Sequence, residues 1–151
     1  MNEAARQEVR RQAGFRCEYC GIQERHLTFS AFHLDPVRAR QHGGTDAAEN
    51  LAWSCQECNL LEGTNLTGID PDTGAGVDLF HPRSHRWEDH FSPVGNRIVG
   101  LTPIGRAIIW LLRMHSPGQL ELRATLRAAG KLRGMAWLPA SPRESQQQFS
   151  P

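Results

Sequence analysis

Four cysteines form two Cys-x-x-Cys pairs, Cys17/Cys20 and Cys55/Cys58, which are separated by 34 residues. Each pair can place two thiolates on one tetrahedral ion, and four thiolates complete the shell of a structural zinc. A redox Cys-x-x-Cys pair is expected once, beside a βαβ pattern, and neither pair lies in such a pattern. The spacing therefore predicts one structural zinc without an open catalytic position; redox chemistry and unpaired buried cysteines are the alternatives.

The charged residues are unevenly distributed along the chain, although the net charge is +1. Residues 1–25 hold five arginines and four glutamates, and residues 26–96 hold four arginines against ten acidic residues. Residues 97–143 reverse the balance, with seven arginines and Lys131 against Glu121. A basic arm beside an acidic centre fits a protein that meets polyphosphate through one surface and cations through another. The alternative is that these arginines are the solvated faces of helices.

The length of 151 residues, with 39% apolar residues, suits one modest core. We expect a single domain over residues 1–138 and a disordered tail over 139–151, which is rich in Pro, Ser and Gln. No stretch approaches the roughly 20 apolar residues that span a bilayer, and the N-terminus carries charge instead of an apolar signal segment. The expected protein is cytoplasmic, has no membrane partner and keeps its cysteines reduced.

The elements that position the cysteines follow from local sequence signals. Asn2 can cap a first helix that runs to Gln12 and ends at Gly14. Residues 28–63 predict a strand over 28–37, a loop at 43–46, a strand from Asn50 to the second cysteine pair, and a short helix from Cys58 to Gly63.

The remaining sequence predicts one hairpin and two helices. Turn residues at 70–74 lie inside a hairpin of about 67–81, and Thr102-Pro103 and Ser116-Pro117 open helices that end by Gly130. The aromatic residues in apolar-periodic context are expected in the core: Trp87, Phe91 and Trp110. Three histidines are expected to pack or to contact phosphate, because Pro82 interrupts the spacing of a metal site: His81, His85 and His90.

The stretch that includes the second cysteine pair contains three segments of interest: Phe32-His33-Leu34-Asp35-Pro36-Val37-Arg38-Ala39-Arg40-Gln41-His42-Gly43-Gly44, Glu49-Asn50-Leu51-Ala52 and Cys55-Gln-Glu-Cys58-Asn59-Leu60-Leu61-Glu62-Gly63. This stretch resembles the HNH endonuclease family of ββα-metal nucleases. The shared features are an acidic residue and a histidine on a strand, a Gly-Gly loop, Asn-Leu opening a second strand, and Cys-x-x-Cys-Asn leading into a helix. Similarity to a bacterial subfamily extends to Ile69-Asp70-Pro71, Leu79-Phe80-His81-Pro82-Arg83, Trp87, His90-Phe91 and Val99-Gly100-Leu101-Thr102.

The resemblance implies an α+β fold: a small ββα-metal core with the four-cysteine zinc, an N-terminal helix and C-terminal helices. It also implies that Asp35 and Asn59 hold a catalytic divalent metal, Mg²⁺ or another ion, and that Asn50 braces the loop. The implied partner is nucleic acid, expected to be double-stranded DNA, and no small-molecule cofactor is expected.

Two residues depart from the pattern of the family. Counted back from the Gly-Gly loop without gaps, the position of the family's general-base histidine is Pro36, whose ring neither accepts a proton nor binds a metal. Glu62 stands where the family usually has Lys or Arg, which reverses a charge that would help to hold phosphate. His33 shares a strand face with Asp35 and is a possible substitute, as a metal ligand or base; the alternative is a strand histidine with a backbone partner.

Two hypotheses remain open at this point. The chain is either a metal-dependent endonuclease with an impaired site, or a nucleic-acid-binding or regulatory module that keeps the fold without cleavage. A single base change converts a histidine codon into a proline codon, so a sequence variant or a decaying gene is a further explanation.

Overall fold

The computed structural model describes residues 2–132, which adopt an α+β fold. Its helices and strands are, in chain order, α1 (Glu3–Gln12), β1 (Phe32–Pro36), β2 (Leu51–Cys55), α2 (Gln56–Glu62), β3 (Thr67–Ile69), β4 (Gly76–Asp78), α3 (Trp87–His90), β5 (Phe91–Val94), β6 (Arg97–Gly100), α4 (Pro103–Leu111) and α5 (Pro117–Ala128). The six strands form three separate antiparallel pairs, β1–β2, β3–β4 and β5–β6. The tail expected at 139–151 lies outside the described residues.

The first strand pair and α2 form a ββα unit. Its register runs from Phe32 opposite Cys55 to Pro36 opposite Leu51. β1 is shorter than the strand expected over 28–37, because residues 27–30 form a turn in which the Ser30 amide donates to the Leu27 carbonyl at 2.9 Å. The expected start of the helix at Cys58 was wrong: α2 begins at Gln56, directly after β2, with Cys55 as its N-cap residue.

The two faces of the β1–β2 pair have different neighbours, because successive side chains of a strand point to opposite sides. One face packs against α1 in a small core: Val9, Ala13, Phe32, Leu34, Leu51 and Trp53. His33 and Asp35 belong to the alternate positions of β1, and α2 contacts both strands. The candidate polar residues of β1 therefore lie on the α2 side of the unit.

The N-terminal helix is defined by its capping residues and attached to β2 through Trp53. The Asn2 side chain accepts a hydrogen bond from the Ala5 amide at 2.8 Å, and Gly14 has a φ of 68° just after the helix end. The Arg6 guanidinium lies 4.8 Å from the centre of the Trp53 ring, and the Trp53 indole N–H donates to Glu24 at 2.6 Å. These contacts hold α1 against the ββα unit.

The C-terminal half packs on the cysteine-containing core. Thr102 and Ser116 cap α4 and α5, each accepting a hydrogen bond from an amide three residues further along. Apolar residues of these elements share one core with the four cysteines: Phe80, Phe91, Ile98, Ile108, Leu112, Met114 and Leu126. Trp110 is the exception to the expected core residues, since it is 70% exposed. Among residues 2–132, no helix is long and apolar enough to cross a bilayer.

Candidate metal centre and nuclease-type site

The four cysteines come together in one buried cluster. Their ligand atoms all lie within 4.8 Å of one another, the Cys20 and Cys55 sulfurs are 4.0 Å apart, and each residue is at most 2% exposed. Four sulfurs bound to zinc at about 2.3 Å are separated by about 3.8 Å along the edges of the tetrahedron. The donor set and its spacing therefore fit a structural zinc.

Local backbone structure brings the two cysteine pairs to this position. The first pair lies in a turn in which the Cys17 amide donates to the Ile22 carbonyl at 3.0 Å and the Gly21 amide donates to the Cys17 carbonyl at 2.9 Å. The second pair spans the junction between β2 and α2. An ion at the cluster would tie this turn to the ββα unit.

The thiols of the cluster also interact with one another. Burial raises the pKa of Cys17, but hydrogen bonds from the thiols of Cys20, Cys55 and Cys58 outweigh it and lower that pKa well below its ordinary value. A deprotonated cysteine is the form that binds zinc. Hydrogen bonds with Cys17 raise the pKa of Cys20 and of Cys58 well above the ordinary value, so the full set of thiolates requires a bound ion.

Asp35 lies in a closed environment between the first cysteine pair and α2. Its side chain is 3% exposed, and the Tyr19 hydroxyl donates to Asp35 Oδ2 at 3.0 Å. Tyr19 is itself 1% exposed, and burial followed by the charge of Asp35 raises its pKa well above the ordinary value. The hydroxyl therefore remains protonated and stays a donor to Asp35.

Glu62, in the last turn of α2, closes the other side of Asp35. It is 2% exposed and is hydrogen-bonded to the Asp35 carboxyl group. Burial first, and then the charge of Asp35, raises the pKa of Glu62 to about 9, and burial raises the pKa of Asp35 to about 6. At neutral pH the pair therefore holds one proton, on Glu62, and one negative charge, on Asp35.

The other residues singled out from the sequence belong to the same strand and the same helix as this carboxyl pair. Pro36 ends β1 opposite Leu51, and His33 is half-buried two residues before Asp35. Asn59 is half-buried on α2, one helical turn before Glu62 and thus on the same side of that helix. The site therefore presents one half-buried imidazole, and no base at residue 36.

Asn50 spans the loop between β1 and β2. Its Oδ1 accepts from the Arg38 amide at 2.9 Å, and its Nδ2 donates to the carbonyls of Arg38 at 2.9 Å and Thr45 at 2.7 Å. The loop also needs a glycine at residue 44, because a Cβ there would lie 1.6 Å from the Arg38 carbonyl oxygen. The backbone of this loop is therefore held in place, although the strand that leads into it ends at Pro36.

The sequence of the segment that carries these residues matches a known family. Residues 17–65 match the family model described as HNH endonuclease. These residues are an HNH domain. The matched segment contains both cysteine pairs, β1, β2 and α2. No curated protein and no solved structure matches the chain.

The HNH domain does not offer an open site for a second, catalytic metal. Asp35 is enclosed and bonded to Tyr19 and Glu62, and residue 36 has no donor atom. Across residues 2–132, the cysteine cluster is the one group of three or more His, Cys, Asp or Glu residues that could hold an ion. Asp35, which was expected to bind a catalytic metal together with Asn59, is therefore closed off from that ion in this arrangement.

The three histidines beyond the HNH domain pack against one another and against Phe80. His85 Nδ1 accepts from the His81 amide at 2.9 Å, and the His85 and His90 rings are 5.1 Å apart. Both of those rings lie 5.9 Å from the Phe80 ring. His90 Nδ1 also contacts Thr102 Oγ1 at 2.6 Å, so this cluster connects α3 to the cap of α4.

Two arginines of the basic C-terminal region have internal partners. Arg106 forms two hydrogen bonds with Asp70, at 2.9 and 2.8 Å, and Arg123 is fully buried. Arg123 is therefore out of reach of a phosphate, and Arg106, whose side chain is 26% exposed, is already paired with a carboxylate. Arg97, Arg113 and Arg127 are exposed and retain that possibility.

Proposed function

We propose that this protein is an HNH-fold nucleic-acid-binding protein in which phosphodiester hydrolysis is reduced to background. HNH domains act on nucleic acids, and we expect double-stranded DNA as the partner. The observation that carries the proposal is the closed Asp35–Glu62 pair beside Pro36. We also expect a cytoplasmic location, because cysteine ligands of zinc must stay reduced.

The reaction explains why these two changes matter. Hydrolysis of a phosphodiester requires positive charge at the scissile phosphate and a base for the attacking water. A general base typically contributes about 10²–10⁴-fold to the rate, and a proline supplies none. The buried pair keeps one negative charge on Asp35, and the protonated Glu62 supplies no cation where a phosphate would have to approach, so both requirements are compromised at once.

The loop and the fold of the HNH domain are maintained in spite of these changes. Asn50 still joins Arg38 to Thr45, and Gly44 still allows the close approach of the loop to Arg38. A protein that retains this backbone can present the HNH surface to nucleic acid without cleaving it. This combination supports binding over cleavage.

We place the nucleic-acid contact at two exposed residues, Arg97 and Arg127, which we name the turn arginines. Arg127 Nη1 lies over the β5–β6 turn, since a Cβ at Gly95 would be 3.3 Å from it. Arg97 follows the same turn. The pKa of His115 is lowered first by burial and then by the charge of Arg97. Neighbouring cations of this kind favour a polyanionic partner.

The second candidate is a metal-dependent endonuclease in which His33 replaces the missing base. It is favoured by one observation, that His33 lies on the same strand face as Asp35. Two residues along a strand separate the Cα atoms by about 6.6 Å, however, whereas the family's base is the immediate neighbour of the acidic residue. His33 is therefore less well placed for this role.

Plasmid nicking separates the two candidates. Supercoiled DNA is incubated with the native protein and Mg²⁺, Mn²⁺, Ni²⁺ or Zn²⁺, and we expect background nicking with each ion. Nicking by the native protein that disappears in Asp35→Asn would contradict the proposal, and its loss in His33→Ala would identify His33 as the base. Failure to bind duplex DNA in a gel-shift assay would remove the binding half of the proposal independently.

A further inference from the structure

Phe15 presents an aromatic ring to solvent from an uncommon backbone conformation. Its φ of 57° lies in the left-handed region, which a bulky residue rarely adopts, and the residue is 49% exposed. Two backbone hydrogen bonds hold this conformation: the Phe15 amide donates to the Arg10 carbonyl at 3.2 Å, and the Glu24 amide donates to the Phe15 carbonyl at 3.0 Å. Strained residues that their surroundings hold in place cluster at functional sites, so this ring is a candidate contact for a ligand.

Arg10 holds the ring from one side. Its guanidinium carbon lies 5.0 Å from the centre of the Phe15 ring, within the range of a cation–π contact. Glu24 fixes the guanidinium, because its carboxylate accepts from Arg10 Nε and Nη2 at 2.9 Å each. Glu24 in turn accepts from the Trp53 indole N–H at 2.6 Å. The ring is therefore preorganised, and its exposed part can stack on a flat partner.

An open cavity lies beside the ring. Its volume of about 490 Å³ falls in the range of small-molecule sites, and its lining consists of Arg10, Gly14, Phe15, Gln23, Glu24 and Arg25. Glu24 is neutralised by Arg10, whereas Arg25 is exposed and has no ion-pair partner among residues 2–132. The cavity therefore combines a flat apolar surface with an uncompensated positive charge.

This combination fits a nucleotide, because an inorganic anion would leave the ring unused. A base can stack on Phe15 while Arg25 contacts its phosphate, and these are the two interactions by which proteins bind single strands. In a duplex each base is already stacked between its neighbours, so its face is not accessible. The cavity is therefore suited to an unpaired nucleotide.

We propose that the cavity beside Phe15 binds an unpaired nucleotide of a single-stranded nucleic acid, with the base stacked on Phe15 and a phosphate at Arg25. This inference goes beyond the proposed function, which places a duplex at the turn arginines. Those residues belong to β6 and α5, whereas the cavity lies at the end of α1 and the start of the HNH domain.

Photocrosslinking of the native protein tests where the base lies. A single-stranded oligothymidine of about 12 nucleotides that carries one 5-iodouracil is irradiated with the protein, and the cross-linked tryptic peptides are identified by mass spectrometry. We expect the main cross-link in the peptide of residues 12–16, which contains Phe15. A main cross-link elsewhere, or none, would overturn the proposal, and this result does not depend on the folding of a variant.

Binding by variants measures the contribution of the ring. Fluorescence anisotropy with the same oligonucleotide should show about 5–150-fold lower affinity for Phe15→Ala, the range for loss of one stacked base, and near-native affinity for Phe15→Trp. Phe29→Ala is the matched control, because Phe29 is fully exposed and does not line the cavity. Native affinity in Phe15→Ala, or an equal loss in Phe29→Ala, would contradict stacking on Phe15.

Salt dependence tests the phosphate contact. Arg25→Gln should lower the slope of log affinity against log salt by about 0.7, the value of one phosphate contact on a single strand. An unchanged slope would remove Arg25 from the site.

A duplex of the same length separates this proposal from the proposed function. Phe15→Ala should bind the duplex as the native protein does, and an equal loss for both forms would argue against an unpaired base. A native protein that binds the duplex but not the single strand would refute the cavity site and leave the proposed function intact. Binding of the single strand alone would support the cavity site and refute the duplex contact.

Discussion

The carboxyl group of Glu62 is hydrogen-bonded to that of Asp35, and both are almost completely buried. With the pKa of Glu62 raised to about 9 by burial and by the charge of Asp35, the pair shares one proton at neutral pH. Asp35 is therefore satisfied by Tyr19 and Glu62, two groups of the protein itself. An HNH domain can close its acidic position in this way without disturbing its fold.

Cleavage should return only when both residues that depart from the family pattern, Pro36 and Glu62, are replaced. Pro36→His/Glu62→Lys supplies an imidazole and replaces the carboxyl neighbour of Asp35 with a cation. We expect plasmid nicking with Mg²⁺ or Mn²⁺ to rise by on the order of 10²-fold or more over the native protein. Pro36→His alone should remain near background, because Asp35 stays bonded to Glu62.

Pro36→Ala/Glu62→Lys is the control, because it changes the same two positions without adding a base. It should not nick DNA, and its zinc content should show that the domain is folded. Equal rates for Pro36→His and the double variant would mean that Glu62 is no obstacle to catalysis.

Metal removal should unfold the protein, since the binding free energy of a four-thiolate site becomes folding free energy. We expect about one zinc per chain by elemental analysis. Cys17→Ser and Cys58→Ser, which alter different pairs, should each lose that same ion and the native circular dichroism spectrum. A well-folded protein without metal would refute a structural zinc.

The turn arginines should account for part of the salt dependence of DNA binding. Each phosphate contact adds about 0.9 to the slope of log affinity against log salt for duplex DNA, so Arg97→Gln/Arg127→Gln should flatten that slope by up to about 2. Fluorescence anisotropy with a labelled duplex at several salt concentrations measures it.

Arg11→Gln/Arg86→Gln provides the matched comparison, with the same change in net charge. These two exposed arginines are already ion-paired, with Glu8 and Glu88, so the slope should change little. If both double variants behave alike, net charge and not a defined surface governs binding.

The Asp70–Arg106 pair should make stability depend on pH in the acidic range. Hydrogen bonds from Arg106 hold the pKa of Asp70 well below its ordinary value of 3.8. The stabilisation is present above that ordinary value and is lost as pH falls towards the lower pKa of the folded state. Asp70→Asn should therefore lower the melting temperature at pH 7, and the difference from the native protein should shrink below about pH 4.

Asp78→Asn, at an exposed aspartate of the same hairpin, should leave the melting temperature close to that of the native protein throughout. A deficit in Asp70→Asn that stays constant down to pH 2 would assign the effect to the turn hydrogen bonds of Asp70 with Asp72 and Thr73.

Local signals predicted α1, α4 and α5 because capping is a local interaction. Asn2, Thr102 and Ser116 each accept the amide hydrogen bond expected of an N-cap residue. The β5–β6 hairpin was missed, although Gly95-Asn96 between apolar runs is a two-residue turn signal. The prediction that Trp110 is buried was also wrong. Helical geometry could have shown that Trp110 is exposed, because a step of two residues rotates its side chain by about 200° from the buried Ile108.

The contacts that define the site required the tertiary structure. The sequence identified Glu62 as a departure from the family, but its bond to Asp35 joins residues that are distant along the chain. Arg106 and Arg123 counted as positive charges in the sequence, and their internal partners became evident in the fold. Charge patterns specify how many cations a segment carries, whereas burial decides which of them a ligand can reach.

The three strand pairs share no backbone hydrogen-bond ladder, so cooperativity between them must pass through side chains. The core that contains the cysteines is where the ββα unit, α4 and α5 meet. Loss of the ion should therefore release amide protection in β5–β6 together with β1–β2 in hydrogen exchange, as a single opening event. The β3–β4 hairpin is held to α4 by the Asp70–Arg106 pair. Its amides should therefore lose protection only to the extent that α4 unfolds.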